Sequence, residues 1–397
     1  MKKRFLLTFL MIALSVSGLS AYDFEVDGIY YKILSDTTVA VTYEQNDYAS
    51  SYVGDIIIPE TVTNDNVEYT VTRIGVSAFR YGFDVHSVQI PNTVTVIEGS
   101  AFWDCANMVS VNIPNSVTRI DSEAFFDCIS LTSLSIPNSV EYIGGFALFG
   151  CGGSATSITV ASDNPKYDSR NNCNAVIETA TNILLVGSNH TIIPDSITRI
   201  AEGAFWACRD MTQLELPQTV TEICDYAFGL CEGLTNLIIP ENVTSIGLES
   251  FWGCSGLTSV DMGPSMSYIG SWAFEDCENL TSVTCRAVRP PYVQEGVFQN
   301  KNGDVFEQAT VYVPQESLEA YRADEEWGKF THIVPFIGAG PGDVNGDGNI
   351  SISDVTGLVD QLLNGGEQPA WMDVNGDGHV SIKDITDLID RLLAGGL

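Results

Sequence analysis

The sequence predicts a solenoid of short parallel strands wound in 23-residue repeats, a leucine-rich-repeat type of architecture, followed by a small all-α domain built on a duplicated loop. Three observations carry this reading. Phenylalanines recur every 23 residues at Phe79, Phe102 and Phe125, and again at Phe205, Phe228, Phe251 and Phe274. Prolines keep the same beat at Pro91, Pro114 and Pro137, and then at Pro194, Pro217 and Pro240. Near the C-terminus one twelve-residue loop is written twice, thirty residues apart, at 343–354 and 373–384.

In chain order, Met1-Lys-Lys-Arg4, the apolar run Phe5 to Val16 and the small residues Ser17 to Ala21 have the three parts of an export signal, assigned to 1–21. That run is too short to span a bilayer, and no later stretch reaches the required length, so a secreted protein without membrane insertion is expected. The formal charge of −33 becomes −36 once Lys2, Lys3 and Arg4 leave with the signal. A chain this acidic is a poor partner for nucleic acid or anionic lipid.

Residues 22–70, opening Tyr22-Asp-Phe-Glu-Val-Asp-Gly-Ile-Tyr-Tyr31, read as a β cap. Repeats follow over 71–158 and 191–285, separated by a non-repeat island at 159–190. In Leu131-Thr-Ser-Leu-Ser-Ile136 the side chains of Leu134 and Ile136 alternate inward as a strand, and Pro137, which has no N–H, ends it. Val140 and Ile143 re-enter the core, as Val117 and Ile120 do one coil earlier. The Ala-Phe pair is expected to fill the far side of each coil in a helical turn. Outward positions on the stacked strands are Gln89, Asn112, Ser135, Glu215, Ile238 and Asp261. L-x-x-L-x-L spacing at this fixed period indicates a leucine-rich-repeat solenoid, in which each coil buries its apolar face only against its neighbours. A C-terminal cap at 286–335 and a Gly-rich linker at 336–342 close the body.

The tandem pattern I-P-x-x-V-T-x-I-G-x-x-A-F-x-x-C-x-x-L resembles the BspA-like class of bacterial leucine-rich repeats over roughly residues 22–335. The resemblance implies a secreted or cell-surface protein that binds a protein or glycan in adhesion; it names no ligand.

Seven of the ten cysteines, Cys105, Cys128, Cys151, Cys208, Cys231, Cys254 and Cys277, share one repeat position. Stacked about 5 Å apart in parallel, they suit a buried thiol ladder better than the torsion of a disulfide, with occasional bridges as the alternative. Cys173, Cys224 and Cys285 lie off the ladder. Trp103, Phe126, Trp206 and Trp252 each follow a core phenylalanine directly. They form one row that either stacks on sugar rings or a partner protein, or packs against the neighbouring coil. Tyr142 and Tyr268 share another slot with the same two readings.

The duplicated loop has the chemistry of an oxygen-ligated cation. Calcium takes six to eight oxygens at about 2.3–2.6 Å, and loops of this type supply them from positions 1, 3, 5, 7, 9 and 12 around a Gly at 6. The first copy offers Asp343, Asn345, Asp347, the carbonyl of Asn349, Ser351 and Asp354; the second offers Asp373, Asn375, Asp377, the carbonyl of His379, Ser381 and Asp384. Two calcium ions are expected. Apolar stripes follow, Val355, Leu358, Val359, Leu362 and Ile385, Leu388, Ile389, Leu392, ending at Gly365 and Gly395. With Asp at position 12 and no helix before the first loop, residues 343–397 resemble a type I dockerin. The resemblance implies calcium-dependent docking to a cohesin-like partner on a scaffold or cell surface. The partner-reading positions 10 and 11, where Ser or Thr is usual, fall on Ile352 and Ser353 and on Ile382 and Lys383, so the isoleucines either meet the partner or face the core.

The motifs H-E-x-x-H and G-x-S-x-G and a phosphate-binding P-loop are absent, while acids are plentiful enough that counting alone does not decide against a glycosidase pair. His86, His190 and His332 stand alone, His379 lies in the loop, and Asp121, Glu141 and Glu202 fall at exposed variable slots. A non-catalytic binding protein is expected. The alternatives are a component of a polysaccharide-degrading complex, in a targeting or O-glycosyl hydrolase role, and a structural spacer.

Overall fold

The computed structural model describes residues 21–44, 50–155, 157–301, 305–336, 342, 352–364, 372–377 and 379–393. The export signal up to residue 20, the linker residues 337–341 and most of the first calcium loop therefore lie outside the described residues. So do Gly365 and Gly395.

The body is a β-solenoid of about eleven turns with repeats of about 23 residues. Each regular coil contributes one strand of up to five residues to the front face and a two-residue strand to the back face; among the described residues the front strands form three sheets and the back strands two, broken at the island. On the back, Ile74, Ile97, Ile120 and Ile143 lie in parallel register, and Ile200, Ile223, Ile246 and Ile269 continue the same column in the second block. All but Ile143 are fully buried. Register follows directly from the period: a residue pairs with its repeat equivalent, so any slip would put a polar side chain in the isoleucine column. Threonines beside the column add bonds between coils, for example Thr118 Oγ1 to the Thr95 carbonyl at 3.3 Å and Thr221 Oγ1 to the Thr198 carbonyl at 3.2 Å.

Inside, the periodic phenylalanines stack face to face. Phe79, Phe102 and Phe125 have ring centroids 5.0 Å apart, and Phe205, Phe228, Phe251 and Phe274 continue at 5.0–5.3 Å, all fully buried. The far side of the coil is not the expected helical turn. Ser100 and Asp104 have φ of 55° and 53°, and the equivalent Glu123 and Asp127 have 61°. These left-handed residues break helical continuity. The backbone instead alternates between its own coil (Trp103 N–H to Ser100 O, 3.1 Å) and the next (Phe102 N–H to Ala124 O and Asp104 N–H to Phe126 O, each 2.7 Å). The bonds between coils outweigh the cost of the left-handed residues by satisfying amides that a packed interior would leave orphaned.

The island belongs to the stack. Strands Tyr167–Asp168, Val176–Glu178 and Ile183–Val186 pair antiparallel, and the last joins Arg199–Ile200 in parallel. Val176 and Val186 bury against the first block, while Ala175, Ile177 and Leu184 bury against the second. The Tyr167 hydroxyl accepts the Ile143 N–H at 2.8 Å, and the Asn174 side-chain carbonyl accepts that of Ile158 at 2.6 Å. Side chains thus complete bonds that the interrupted repeat would leave open.

Strands Phe24–Val26, Ile29–Ser35 and Thr38–Thr42 close the N-terminal end, turning at Asp27-Gly28, both with positive φ. At the other end, Thr310–Pro314 and His332–Phe336 extend the front sheet around the helix Leu318–Ala323. The fully buried Trp327 donates its indole N–H to the Pro291 carbonyl at 3.1 Å. On the front face Gln89, Asn112, Ser135 and Glu215 are exposed and Ile238 is half-buried, although Glu215 lies in a coil that forms no strand there. Asp261 departs from the expected outward position and is 2% exposed, because Arg286 from the next coil folds over it with Nη2 2.5 Å from Oδ2. Among the described residues no helix is long and apolar enough to cross a membrane.

Candidate functional site

Two helices, Ile352–Asn364 and Ile382–Leu393, pack around a small core of Leu358, Met372, Val374 and Leu388. Val355, Leu362 and Ile385 pack against it, and Ile389 is 38% exposed. The core holds the second loop against the start of its helix.

Within that loop one carboxylate oxygen from each of Asp373, Asp377 and Asp384 lies within 4.8 Å of the other two. Asp384 is fully buried and Asp373 nearly so. Backbone amides aim them. Asp384 Oδ1 accepts Val374 N–H at 2.8 Å and its Oδ2 accepts Ser381 N–H at 2.7 Å, drawing the two ends of the loop together. Asp373 Oδ1 accepts the N–H groups of Gly376 and Asp377, Asn375 Oδ1 accepts Asp377 N–H at 2.9 Å, and Asp377 Oδ1 accepts His379 N–H at 3.1 Å. The Asn375 amide nitrogen is buried with no partner among the described residues. Three carboxylates forced together, two of them out of water, repel one another unless a cation lies between them. An all-oxygen donor set suits a hard dication, so the residues present fit calcium.

Of the first copy, Asp343, Asn345, Asp347, Asn349 and Ser351 lie outside the described residues, as does the side chain of Ser353. Asp354 opens the helix Ile352–Asn364 and is fully buried, matching Asp384.

The two isoleucines at loop position 10 do not face the core. Ile352 is 79% exposed and Ile382 is 76% exposed. Leu363 and Leu393, eleven residues further along each helix, are equally exposed; the thirty-residue spacing of the loops relates them as it relates the isoleucines. Lys383 is exposed with its ammonium 3.3 Å from Asp377 Oδ2.

On the solenoid, the aromatic row is a packed ladder rather than a set of free rings. Ring centroids run Trp103–Phe126 4.7 Å, Phe126–Phe149 4.4 Å, Phe149–Trp206 5.3 Å and Trp206–Trp252 5.8 Å. Trp206 is 5% exposed, and the other three predicted members are half-buried. A Cβ on Gly229 would lie 2.2 Å from Trp206, so the glycine makes the room in which the indole reaches Trp252. Arg80 sits over Trp103 at 4.7 Å and ends the row. Tyr142 is 41% exposed beneath Arg119, whereas Tyr268 is half-buried against Tyr292, which is 66% exposed. All ten thiols are buried and free, including Cys173, Cys224 and Cys285.

Comparison with known proteins agrees with this geometry. The family described as BspA type Leucine rich repeat region matches residues 48–175 and 187–303 in six copies, and the Dockerin type I domain matches residues 341–393. Type I dockerins bind calcium, and both matched modules are of non-catalytic kinds. No curated protein matches the chain. Among solved structures, the pneumococcal vaccine antigen PcpA is similar at 15% identity and a TM-score of 0.55, over 80% of this chain and 99% of that one. A leucine-rich repeat protein from Eubacterium ventriosum matches at 18% identity over 78% and 83% of the two chains (TM-score 0.48). A leucine rich cell surface protein from Faecalibacterium prausnitzii matches at 22% over 81% and 96% (TM-score 0.39). With its repeats matched over more than half its length, the chain belongs to the BspA-type leucine-rich-repeat family and ends in a type I dockerin domain.

Proposed function

We propose that this is a secreted, surface-held binding protein without catalytic activity. Its solenoid recognises a protein or glycan, and its dockerin, folded around two calcium ions, docks it to a cohesin-like partner. In this reading residues 1–21 direct export, 22–335 form the capped solenoid with its island, 336–342 is a linker and 343–397 is the docking domain. The observation that carries it is the convergence of Asp373, Asp377 and Asp384 in a segment matching a dockerin, at the end of a body made of repeats. Repeat bodies offer long surfaces for recognition, and the exposed Ile352 and Ile382 supply an apolar face for the docking partner.

The test immobilises the full chain and offers it a set of cohesin domains, in calcium and in chelator, beside a variant carrying Asp373→Ala and Asp384→Ala. Capture by the parent chain only in calcium, lost in the variant, supports the reading. Capture indifferent to calcium and to both substitutions would remove it. Sugar release from a bound glycan would move the chain to the polysaccharide-degrading alternative.

A further inference from the structure

We propose that the two calcium loops load unequally, because Lys383 occupies the rim of the second site as a counter-cation and weakens it. This inference rests on the calcium reading above and concerns a residue that is not a ligand in that reading.

The two loops carry the same three carboxylates, Asp343, Asp347 and Asp354 in one and Asp373, Asp377 and Asp384 in the other. At position 11 they differ: the first has Ser353 and the second Lys383. Charge over the twelve residues is therefore −3 in the first loop and −2 in the second, with His379 neutral. Charge count at the ligands is one of the levers that set calcium affinity in such loops.

The lysine is placed to act. Its ammonium lies 3.3 Å from Asp377 Oδ2. Asp377 is the one half-buried member of a triad whose other two members are buried. Its other oxygen accepts the His379 N–H, so Oδ2 is the oxygen that an arriving cation and Lys383 would compete for. The lysine side chain is 65% exposed and anchored at no other acid within ion-pair distance among the described residues. It can therefore swing away when calcium binds, but it remains within a few ångströms of a doubly charged ion. Between exposed groups in water that repulsion amounts to about three- to tenfold in affinity, and it shrinks as salt screens it.

The test is a calorimetric calcium titration of the full chain at low and high salt, for the parent, Lys383→Ser and Lys383→Arg. The parent is expected to bind two ions in two resolved steps. Lys383→Ser should tighten the weaker step by about three- to tenfold at low salt and leave the stronger step in place, with a smaller gain at high salt. Lys383→Arg, which keeps the charge, should behave as the parent. If all three chains bind two ions with the same pair of affinities, the proposal is overturned while the calcium reading stands. If none binds calcium, that reading itself falls and this proposal with it.

Discussion

Cys128 donates its thiol hydrogen to the carbonyl oxygen of Phe102, one coil back, across 3.1 Å. The same bond recurs from Cys105 to Phe79, Cys151 to Phe125, Cys231 to Phe205, Cys254 to Phe228 and Cys277 to Phe251, at 3.0–3.4 Å. The ladder thus binds coil to coil as well as filling space. It also explains why cysteine suits the slot: the side chain is small and apolar, and its weak donor reaches a carbonyl on the coil below.

Burial makes these thiols inert. It pushes Cys128 well above the ordinary thiol range, with Cys105 and Cys151 on either side adding to the shift, and holds Cys254 up at about 12. Reactivity belongs to the thiolate. The folded chain at pH 8 should therefore resist an alkylating reagent for hours, and after unfolding without reductant all ten cysteines should react. A count below ten by mass would mean that some are bridged.

The row of aromatic side chains has a keystone. Trp206 meets Phe149 across the island and Trp252 beyond Gly229, so it sits at the centre of one satellite cluster that draws side chains from both repeat blocks. Trp206→Ala should cost about 3–5 kcal/mol, in the range of large aromatic truncations in a core. Trp103→Ala, at the half-buried end of the row, should cost about 1–2 kcal/mol. Urea midpoints of the two variants would settle the ranking, and equal losses would mean that Trp206 is no keystone.

Phe149 shows why part of this row was illegible in the sequence. It occupies the slot of Trp103 and Phe126 at the same interval, but Leu148 stands where the core phenylalanine falls in its neighbours, so the Ala-Phe-aromatic signature is absent. The period placed the buried column correctly because only apolar side chains fit there. The turns were harder. Their left-handed positions are held by residues as different as Ser100, Glu123, Phe146, Tyr226 and Trp272, since bonds between coils, not side-chain type, impose the conformation. Strand alternation alone points Asp261 outward, because it takes no account of an arginine one coil away. In the docking domain the carboxylates of the second loop were legible from spacing. The exposure of Ile352 and Ile382 was not, because an isoleucine at the start of a helix fits a core or a partner equally well.

Asp127 supplies a pH dependence. Its carboxyl is pushed up to about 6, first by burial and then by Asp104, while the Trp206 side chain bonds to it and pulls the other way. Its ordinary value is 3.8, so the folded chain holds the proton more tightly than the unfolded one. Stability from this group is complete below pH 3.8 and declines as pH rises to about 6, by about 1–3 kcal/mol. Asp127→Asn should then stabilise the chain by about 1–2 kcal/mol at pH 7.5 and not at pH 3.5, as read from denaturant midpoints. A loss at pH 7.5 would mean that the bond from Trp206 outweighs the cost of burying the charge.

The docking domain and the solenoid should part under chelator. Among the described residues the apolar core beside the second loop is Leu358, Met372, Val374 and Leu388, too small to hold three converging carboxylates together unaided. The solenoid has no such debt: its phenylalanine stack and strand ladders involve none of the loop carboxylates. Hydrogen exchange with and without chelator reads both parts in one sample. Amides of Ile382–Leu393 should lose protection when calcium is withdrawn, while those of Phe102, Phe125, Phe228 and Phe251, bonded between coils, should keep theirs. Simultaneous loss in both regions would show that calcium stabilises the body as well, and the division between a metal-folded dock and a self-sufficient solenoid would have to be abandoned.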